Sequence, residues 1–363
     1  MSLRARQGQG TGSTAQPLAT VRPGRYLGAA ATPIDLADPP HGSQGVRAAT
    51  HRVTQRPEMP LQERTPAVDT VLNIAASRRY GTLSPLRYPG GKASLAGLFA
   101  DLIATLGLAG AKYVEPYAGG AGAGVALLRE GVVDELVIND FDPAVHAFWH
   151  SVVHSNEDFL QMLDFTPVTI PEWLRQREIY RARDTSNLLS LGFAFFYLNR
   201  TNRSGVLTGG VIGGLNQAGT YKIDARFNKS MLRARIAALG ALADQITVTD
   251  YDGRTVIRDY DNNPNVFMYI DPPYVGAGSR LYLNAFDARD HTNLASMISG
   301  ITQTHWLMTY DVTPLVTSLY RNFHVRKYDL NYSAHHPGRA SELMITSPSV
   351  HEAIASSVCA VSA

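Results

Sequence analysis

The sequence predicts an α/β protein with a doubly wound sheet, a mostly helical insertion and a disordered N-terminal tail. Strand and helix patterns alternate over residues 84–150 and again over 245–350, which is typical of a parallel sheet covered by helices on both faces. Over residues 151–244 this alternation gives way to several helical patterns and a glycine-rich stretch. We interpret the two alternating segments as one discontinuous domain, 151–244 as its insertion, and 351–363 as a flexible C-terminus.

The predicted tail comprises residues 1–80, whose composition does not support a packed core. They contain ten Arg, no Lys and five Asp or Glu, a net charge of +5, whereas the rest of the chain carries −3. They are also rich in Gly, Pro, Ala, Thr and Gln. Such a tail would attract phosphate without sequence preference. A mis-assigned start codon and an organellar presequence are the alternatives, since no acidic residue precedes Asp35.

The composition excludes several classes of protein. The chain has 363 residues and no run of about 18 apolar residues, so we expect no transmembrane helix. The apolar core of a secretory signal is missing from the N-terminal residues. Cys359 is the single cysteine, which excludes an internal disulfide framework and fits the reducing environment of the cytoplasm.

The spacing of apolar residues predicts the individual elements. Residues 93–107 have the spacing of a helix, “KYVEPY” (112–117) that of a short strand, and “AGAGVALLREG” (121–131) that of a second helix. The strand “ELVIND” and a helix that begins at Pro143 follow. The later predicted strands are “QITVTDYD”, “NVFMYID”, “HWLMTY”, “HVRKYDL” and “SELMITS”.

A glycine-rich loop and two acids predict a site for a nucleoside-bearing cofactor. “VEPYAGGAGAG” (114–124) joins the first strand to its helix, and its glycines allow a ligand to approach the backbone closely. Asp140 ends the next strand 21 residues after Gly119, where an acid binds a ribose hydroxyl in such folds. Glu115 would repel a phosphate and suits an amine-bearing ligand. S-adenosylmethionine has a ribose, an amine and a sulfonium, and it fits both acids.

The stretch “FMYIDPPYVGAG” (267–278) predicts a second site at the end of an apolar strand. Two consecutive prolines cannot continue a sheet, because neither offers a backbone donor. They stiffen the chain just beyond the carboxyl end of the strand, which is where open α/β sheets bind their ligands. The sequence therefore presents the carboxylate of Asp271 and the ring of Tyr274 to a ligand.

Four separated motifs, “RYPGGK”, “EPYAGGAG”, “INDFD” and “DPPY”, resemble in this order the Dam-like DNA N6-adenine methyltransferases. The resemblance extends from about Leu86 to Ser347 and leaves the tail outside. It implies a Rossmann-like methyltransferase sheet with S-adenosylmethionine as cofactor, no metal, and double-stranded DNA as substrate, recognised by the insertion. It also implies a site-specific, cytoplasmic enzyme that acts as a monomer or weak dimer, with a cognate restriction endonuclease as a candidate partner.

The resemblance also assigns residues to the cofactor. Those that it implies are Tyr88, Gly90 and Lys92 at the methionine end, Asp140 at the ribose, and Asp250 and Tyr251 at the adenine. Tyr117 and Gly119 match an aromatic-x-Gly loop, although Ala121 stands where a second glycine is expected. With Glu115 these residues form the predicted cofactor site.

The catalytic tetrapeptide implied by the resemblance is Asp271, Pro272, Pro273 and Tyr274. The exocyclic amine of adenine is a poor nucleophile, because its lone pair is delocalised into the ring. A carboxylate and a backbone carbonyl that each accept one N–H would draw the nitrogen toward pyramidal geometry, and Asp271 and the carbonyl of Pro272 are the candidates. Tyr274 would stack on the base once it is flipped out of the duplex.

Three alternatives stay open. Cytosine N4 is also an exocyclic amine that the same chemistry could methylate, whereas C5 methylation needs a thiolate nucleophile and Cys359 lies in a small-residue tail. A non-catalytic DNA-binding protein with this fold is the second alternative. An RNA substrate is the third, although no RNA-binding module is recognisable.

The insertion carries residue types that contact DNA. “FAFFYLNRTNRSGVLTGG” (193–210) begins with aromatic residues, which we expect in the core, and its glycines would let a loop approach the duplex. Asn and Arg read adenine and guanine edges, and Arg also contacts phosphate. The candidate DNA-binding residues are Asn199, Arg200, Asn202, Arg203, Lys222 and Arg226, with Lys229 on the same charged stretch. A merely solvated face is the alternative for the last three.

Overall fold

An eight-stranded sheet forms the centre of the described part of the protein. This computed structural model describes residues 72–73, 83–87, 92–108, 110–275, 286–330 and 340–361. The strands are β1 (Leu72–Asn73), β2 (Lys112–Glu115), β3 (Glu135–Asn139), β4 (Ile246–Thr249), β5 (Val266–Ile270), β6 (His305–Asp311), β7 (His324–Leu330) and β8 (Ala340–Thr346). All of the strands predicted from the sequence are therefore confirmed.

The strand order is β1-β7-β8-β6-β5-β2-β3-β4. Every neighbouring pair is parallel except those of β8, which runs antiparallel to both β6 and β7. The chain proceeds outward from β2 to β4 and then returns to form β5 on the other side of β2. This reversal creates a crevice at the carboxyl ends of β2 and β5, which is the usual ligand site of such sheets.

Helices cover both faces of the sheet. They are α1 (Ala96–Thr105), α2 (Gly122–Arg129), α3 (Pro143–His154), α4 (Asn156–Phe165), α5 (Ile170–Ala182), α6 (Leu188–Thr201), α7 (Lys229–Gly240), α8 (Gly253–Asp259), α9 (Ala288–Ile298), α10 (Pro314–Leu319) and α11 (Pro348–Val361). None of these helices in the described segments is long and apolar enough to cross a membrane.

The strands at the centre are buried on both sides, which explains their nearly continuous apolar sequences. In β5, Phe267 and Tyr269 pack into the apolar cluster on one face of the sheet, whereas Val266, Met268 and Ile270 pack into the cluster on the other. The prediction of a doubly wound sheet is confirmed by this two-sided burial.

The insertion packs directly against the sheet domain. Helices α3 and α6 approach so closely that a Cβ on Gly192 would lie 2.4 Å from the carbonyl oxygen of Ala147. The aromatic residues of α6 that the sequence places in the core are buried, which confirms that prediction: Phe193, Phe195, Phe196 and Tyr197. The insertion is therefore anchored through the helix that precedes its glycine-rich stretch.

Two predicted flexible segments contain regular structure. Leu72–Asn73, inside the predicted tail, form β1 and pair with Tyr328 and Asp329 of β7. The other residues of 1–80 lie outside the described part. Most of the predicted flexible C-terminus, 351–363, lies within α11, where Ala353 and Ile354 are buried.

Candidate active site

The candidate active site lies at the carboxyl ends of the central strands. Glu115 ends β2, Asp140 directly follows β3, Asp271 directly follows β5, and Thr309 lies near the end of β6. Parallel pairing places these strand ends at one edge of the sheet. Three acids and a hydroxyl are therefore collected from residues that are far apart in the sequence.

Asp140 organises the glycine-rich loop. Its carboxylate accepts hydrogen bonds from the backbone N–H of Gly119 at 2.8 Å and of Asp142 at 2.9 Å. Gly119 has a φ of +47°, and its carbonyl accepts from the indole N–H of Trp149. Burial raises the pKa of Asp140 to about 7, against the opposing effect of the two N–H donors. The sequence prediction paired Asp140 with this loop, and the structure brings the two together.

Glu115 lies beneath the same loop and is almost fully buried. Its Oε1 accepts from the backbone N–H of Gly124 at 3.0 Å. A Cβ on Gly124 would lie 2.6 Å from Leu136 and 3.1 Å from this oxygen, so only glycine allows the approach. Burial raises the pKa of Glu115 to about 8, and the nearby charge of Asp271 adds to the shift. A buried carboxyl with this pKa would gain from a cationic ligand.

Ala121 occupies the position where the aromatic-x-Gly loop is expected to have its second glycine. It caps α2 in the left-handed region, with a φ of +42° and a ψ of +36°. An alanine there costs roughly 1–2 kcal/mol in backbone strain. The loop therefore keeps the glycine-like turn even though the residue has changed.

Asn139 is a central residue of the site that the sequence analysis missed. Its amide N–H2 donates to the carbonyls of Pro116 and Tyr251, and its Oδ1 accepts from the Thr249 hydroxyl and the Tyr251 N–H. The four bonds tie together the chain segments that follow β2, β3 and β4. A polar residue in the apolar run “ELVIN” was the signal available in the sequence.

The residues expected near the cofactor adenine lie at the outer rim of the crevice. Asp250 is exposed, and the exposed fraction of Tyr251 is 54%. The ring of Tyr117 packs over Gly253, where a Cβ would lie 2.4 Å from it, and meets Phe286 edge-on at 5.8 Å. The carboxyl group of Asp250 and the ring of Tyr251 are therefore accessible to a ligand beside the loop.

Asp271 is oriented by two side chains that the sequence analysis did not connect to it. Its Oδ1 accepts from the hydroxyl of Thr309 at 2.7 Å, and its Oδ2 lies 3.5 Å from Nζ of Lys92. Burial raises the pKa of Asp271, and the positive charge of Lys92 opposes that shift. The carbonyl oxygen of Pro272 accepts no hydrogen bond from any described residue. Two consecutive residues after β5 therefore offer hydrogen-bond acceptors, the carboxylate of Asp271 and the backbone carbonyl of Pro272.

Lys92 lies against the tetrapeptide, whereas the resemblance placed it at the methionine end of the cofactor. Its Nζ donates to the hydroxyl of Tyr274 at 2.9 Å and lies 3.4 Å from Oε2 of Glu342. The Tyr274 hydroxyl donates to the same Glu342 oxygen at 2.9 Å, and the hydroxyl of Tyr328 also donates to it. Glu342 was not predicted, although an acid within the apolar strand “SELMITS” was a visible signal.

Three predicted DNA-binding residues are buried in the structure. Asn199, Arg200 and Asn202 are at most 5% exposed, and their polar groups bond to the protein itself. The amide of Asn199 bonds to both the N–H and the carbonyl of Arg87, at 2.8 Å each. Asn202 accepts from the indole of Trp173 and donates to the carbonyl of Val206. These two amides therefore hold the loop and cannot read bases in this conformation.

The other predicted contacts of the insertion differ in their surroundings. Arg203, Lys222 and Arg226 are exposed, as DNA contacts require. Lys229 instead donates to the carbonyls of Asp164 and Thr166 at the end of α4. Gly205 packs against the backbone of Arg87 and does not face an open surface. A Cβ on Gly205 would lie 2.3 Å from the carbonyl oxygen of Arg87.

Tyr88 and Gly90 lie outside the described residues. Within the described ranges, no group of three or more His, Cys, Asp or Glu side chains is arranged to hold a metal ion.

Comparison with known proteins identifies the family. No curated protein matches the chain. Among solved structures, the rRNA methyltransferase AviRa from Streptomyces viridochromogenes has 14% sequence identity and a TM-score of 0.29, over 77% of this chain and 91% of that one, which is too distant to support an argument. A family model described as D12 class N6 adenine-specific DNA methyltransferase matches residues 88–334, more than half of the chain. The chain therefore belongs to the D12 class of N6 adenine-specific DNA methyltransferases.

Proposed function

We propose that the crevice methylates adenine N6 with Asp271 and the carbonyl of Pro272 as the two acceptors for the target amine. The observation that carries this proposal is the position of Asp271, which lies at the carboxyl end of β5 beside Glu115 and is held by Thr309 and Lys92. The family acts on adenine in DNA. Asp271 and the carbonyl of Pro272 can each accept a hydrogen bond from the amine of that base.

S-adenosylmethionine is the proposed cofactor, and it supplies an electrophilic methyl group on its sulfonium. Glu115 would bind its amine, because a buried carboxyl with a raised pKa is stabilised by a cation. Asp140 would accept from the ribose hydroxyls, beside the two N–H donors that already fix it. Asp250 and Tyr251 would contact the adenine at the outer rim. Gly119 and Tyr117 shape the loop between these groups.

The residues around Asp271 would prepare the target nitrogen. Its carboxylate would accept one N–H of the amine and the carbonyl of Pro272 the other, so that the lone pair of the nitrogen localises and can attack the methyl carbon. The C–S bond would break in the same step and leave its electron pair on the sulfur as a neutral thioether. The nitrogen would then lose a proton to the Asp271 carboxylate, which already accepts its N–H. Positioning supplies most of the rate enhancement, because no strong base is required. Pro273 keeps the backbone rigid between the acceptors and Tyr274.

Tyr274 would support the flipped base. Its hydroxyl is fixed between Lys92 and Glu342, and its ring lies 6.0 Å from that of Tyr310 at an angle of 30°. A ring that is already immobilised loses little entropy when a base stacks on it. We propose stacking on this ring as the contact that offsets part of the cost of unstacking the adenine.

We also propose that the protein acts on double-stranded DNA in the cytoplasm as a monomer or weak dimer. A restriction endonuclease that cleaves the same sequence is the candidate partner of such an enzyme.

Mass spectrometry of nucleosides tests the proposed function. Duplex DNA incubated with purified protein and S-adenosylmethionine is expected to yield N6-methyladenine, and sequencing of the same DNA then gives the recognised site. N4-methylcytosine would contradict the substrate, although the acceptors would keep their roles. Bound cofactor without any methylated nucleoside would favour a protein that only binds, or an RNA substrate.

Cofactor affinity is expected to fall at acidic pH. Burial raises the pKa values of Glu115 and Asp140 to about 8 and about 7, so each group is mostly protonated in the free protein at a pH below its own pKa. Binding of an amine and a ribose requires both carboxylates. Protons are therefore released on binding, and each protonated group weakens affinity about tenfold per pH unit below its pKa. We expect binding at least about tenfold weaker at pH 6 than at pH 8 by titration calorimetry.

The matched variant for this titration is Glu115→Gln. It should bind weakly at every pH and lose most of the pH dependence, because the group with the higher pKa has been removed. A pH dependence equal to that of the unmodified protein would show that Glu115 does not meet the amine.

A further inference from the structure

We propose that Arg200 and Arg226 of the insertion, with Arg87 and Arg235 as neighbouring positive charges, form an anion site that binds a phosphate of the DNA backbone. This inference rests on the proposed function in one respect, since it takes DNA as the partner. It assigns to Arg200 and Arg226 a contact with the phosphate rather than with a base edge. We call these four residues the arginine cluster.

The first observation is a buried cation without a counter-ion. Arg200 is 5% exposed, and its Nε donates to the carbonyl oxygen of Arg226 at 2.8 Å, as does its Nη2. Its Nη1 makes no hydrogen bond to any described residue. A neutral carbonyl offsets only part of the cost of burying a guanidinium. The site therefore holds positive charge that an anion could compensate.

The second observation is that the charges nearest to Arg200 are also positive. Burial, together with the positive charges of Arg87, Arg235 and Arg226, lowers the pKa of Arg200 to about 10. Arg87 donates to the carbonyl of Asn202 and Arg235 to that of Ser84. Among the described residues, none of the four arginines forms an ion pair with a carboxylate. In contrast, the partly buried Arg183 and Arg254 each pair with a carboxylate, those of Asp142 and Asp290.

The third observation is a cavity of about 470 Å³ beside the cluster. Arg200 and Arg226 line it, and so do Asn228 and Met231 at the N-terminus of α7, whose dipole also favours an anion. Asp224 lines it too and is the one acidic group at its wall. A guanidinium pairs well with phosphate because its planar N–H groups match two oxygens.

Duplex DNA is the occupant that the surroundings favour. The cavity lies in the segment that follows α6, and the exposed side chains of Arg226 and Lys222 extend the positive charge beyond it. The amides of Asn199 and Asn202 hold this segment from within, so the cluster is presented on a fixed backbone. Phosphate contacts of this kind set the register of a protein on a duplex and carry no sequence information.

The test compares the salt dependence of DNA binding in two variants with the same change of charge. Arg226→Gln removes a cluster residue, whereas Arg233→Gln removes an exposed arginine on α7 that pairs with Asp164 at 3.1 Å. Binding to a duplex of about 20 base pairs is followed by fluorescence anisotropy between about 50 and about 200 mM salt. We expect Arg226→Gln to reduce the slope of log K against log salt by about 0.9, which is roughly eightfold in affinity at 0.1 M salt. Arg233→Gln should change the slope much less.

A third variant reverses the effect. Asp224→Asn removes the acidic group from the wall of the cavity and should tighten binding severalfold. Equal slopes for Arg226→Gln and Arg233→Gln would overturn the proposal, and so would weaker binding by Arg226→Gln with an unchanged slope. If the slopes differ as expected but the unmodified protein methylates no nucleoside, the anion site stands and the proposed function fails.

Discussion

Asp271→Asn is expected to lower kcat for DNA methylation by at least about 100- to 1,000-fold, the usual effect of removing one preorganised group from an active site. The change keeps the size of the side chain but replaces one acceptor oxygen by an N–H2, which cannot accept an N–H from the target amine. Thr309 can still donate to the remaining oxygen, so the loop should keep its position. Single-turnover kinetics with labelled cofactor measures the loss directly.

Cofactor binding separates this explanation from a general disruption of the site. Asp271→Asn should bind S-adenosylmethionine with a Kd within a few-fold of the unmodified protein, because Glu115 and Asp140 carry the proposed contacts. Asp164→Asn provides the matched control, since it makes the same chemical change at a surface ion pair in the insertion. Loss of both binding and turnover in Asp271→Asn would contradict the assigned role.

Lys92→Met is expected to destabilise the fold by about 3–5 kcal/mol, the range found when one partner of a buried ion pair is removed. Lys92 is the cation between two carboxylates, those of Asp271 and Glu342, and all three groups are largely buried. Its loss removes the positive charge that the two carboxylates share and leaves them only neutral hydroxyl donors among the contacts described above. Urea unfolding of the purified variant measures the change in the free energy of unfolding.

The same variant should shift the pH profile of the reaction. Burial raises the pKa of Asp271 and Lys92 opposes that rise, so removing Lys92 should raise the pKa further. The reaction requires the carboxylate and loses activity as pH falls through this pKa. The acidic limb of kcat against pH should therefore move to higher pH, with the greatest residual activity under alkaline conditions.

A double variant tests whether the charge itself is responsible. Lys92→Met combined with Glu342→Gln removes one of the two acids that Lys92 contacts, and it should be more stable than Lys92→Met alone. An acidic limb that does not move in Lys92→Met, or a double variant in which the two losses simply add, would show that Lys92 acts by packing alone.

The elements and much of the site could be predicted from local sequence. Apolar runs such as “VFMYI” are buried on both faces, so their pattern leaves little choice other than a central strand. The loop around Gly119 and the acid Asp140 could be matched because the motif and its distance along the chain are both local features. The tetrapeptide stood out for the same reason, since two prolines must end a strand.

The remaining features depend on contacts that local sequence does not encode. Asn199 and Asn202 have the right chemistry to read bases, but the pattern could not show that their amides face the backbone of the protein. Thr309 and Glu342 lie on strands whose order in the sheet is not apparent from their sequences. The motif around Lys92 predicted a contact with the methionine end of the cofactor. In the structure its ammonium group instead lies beside the carboxylates of Asp271 and Glu342.

The hydrogen bonds of Tyr274 also have a consequence for biosynthesis. Lys92 precedes Tyr274 by 182 residues and Glu342 follows it by 68, on the strand that enters the sheet between β6 and β7. Translation supplies the cofactor loop first and the tetrapeptide later, and Glu342 emerges last. A nascent chain, or one cut short by a premature stop codon before β8, would hold the cofactor residues without the acid that fixes the tyrosine. Modification of DNA would therefore begin only after β8 has been synthesised.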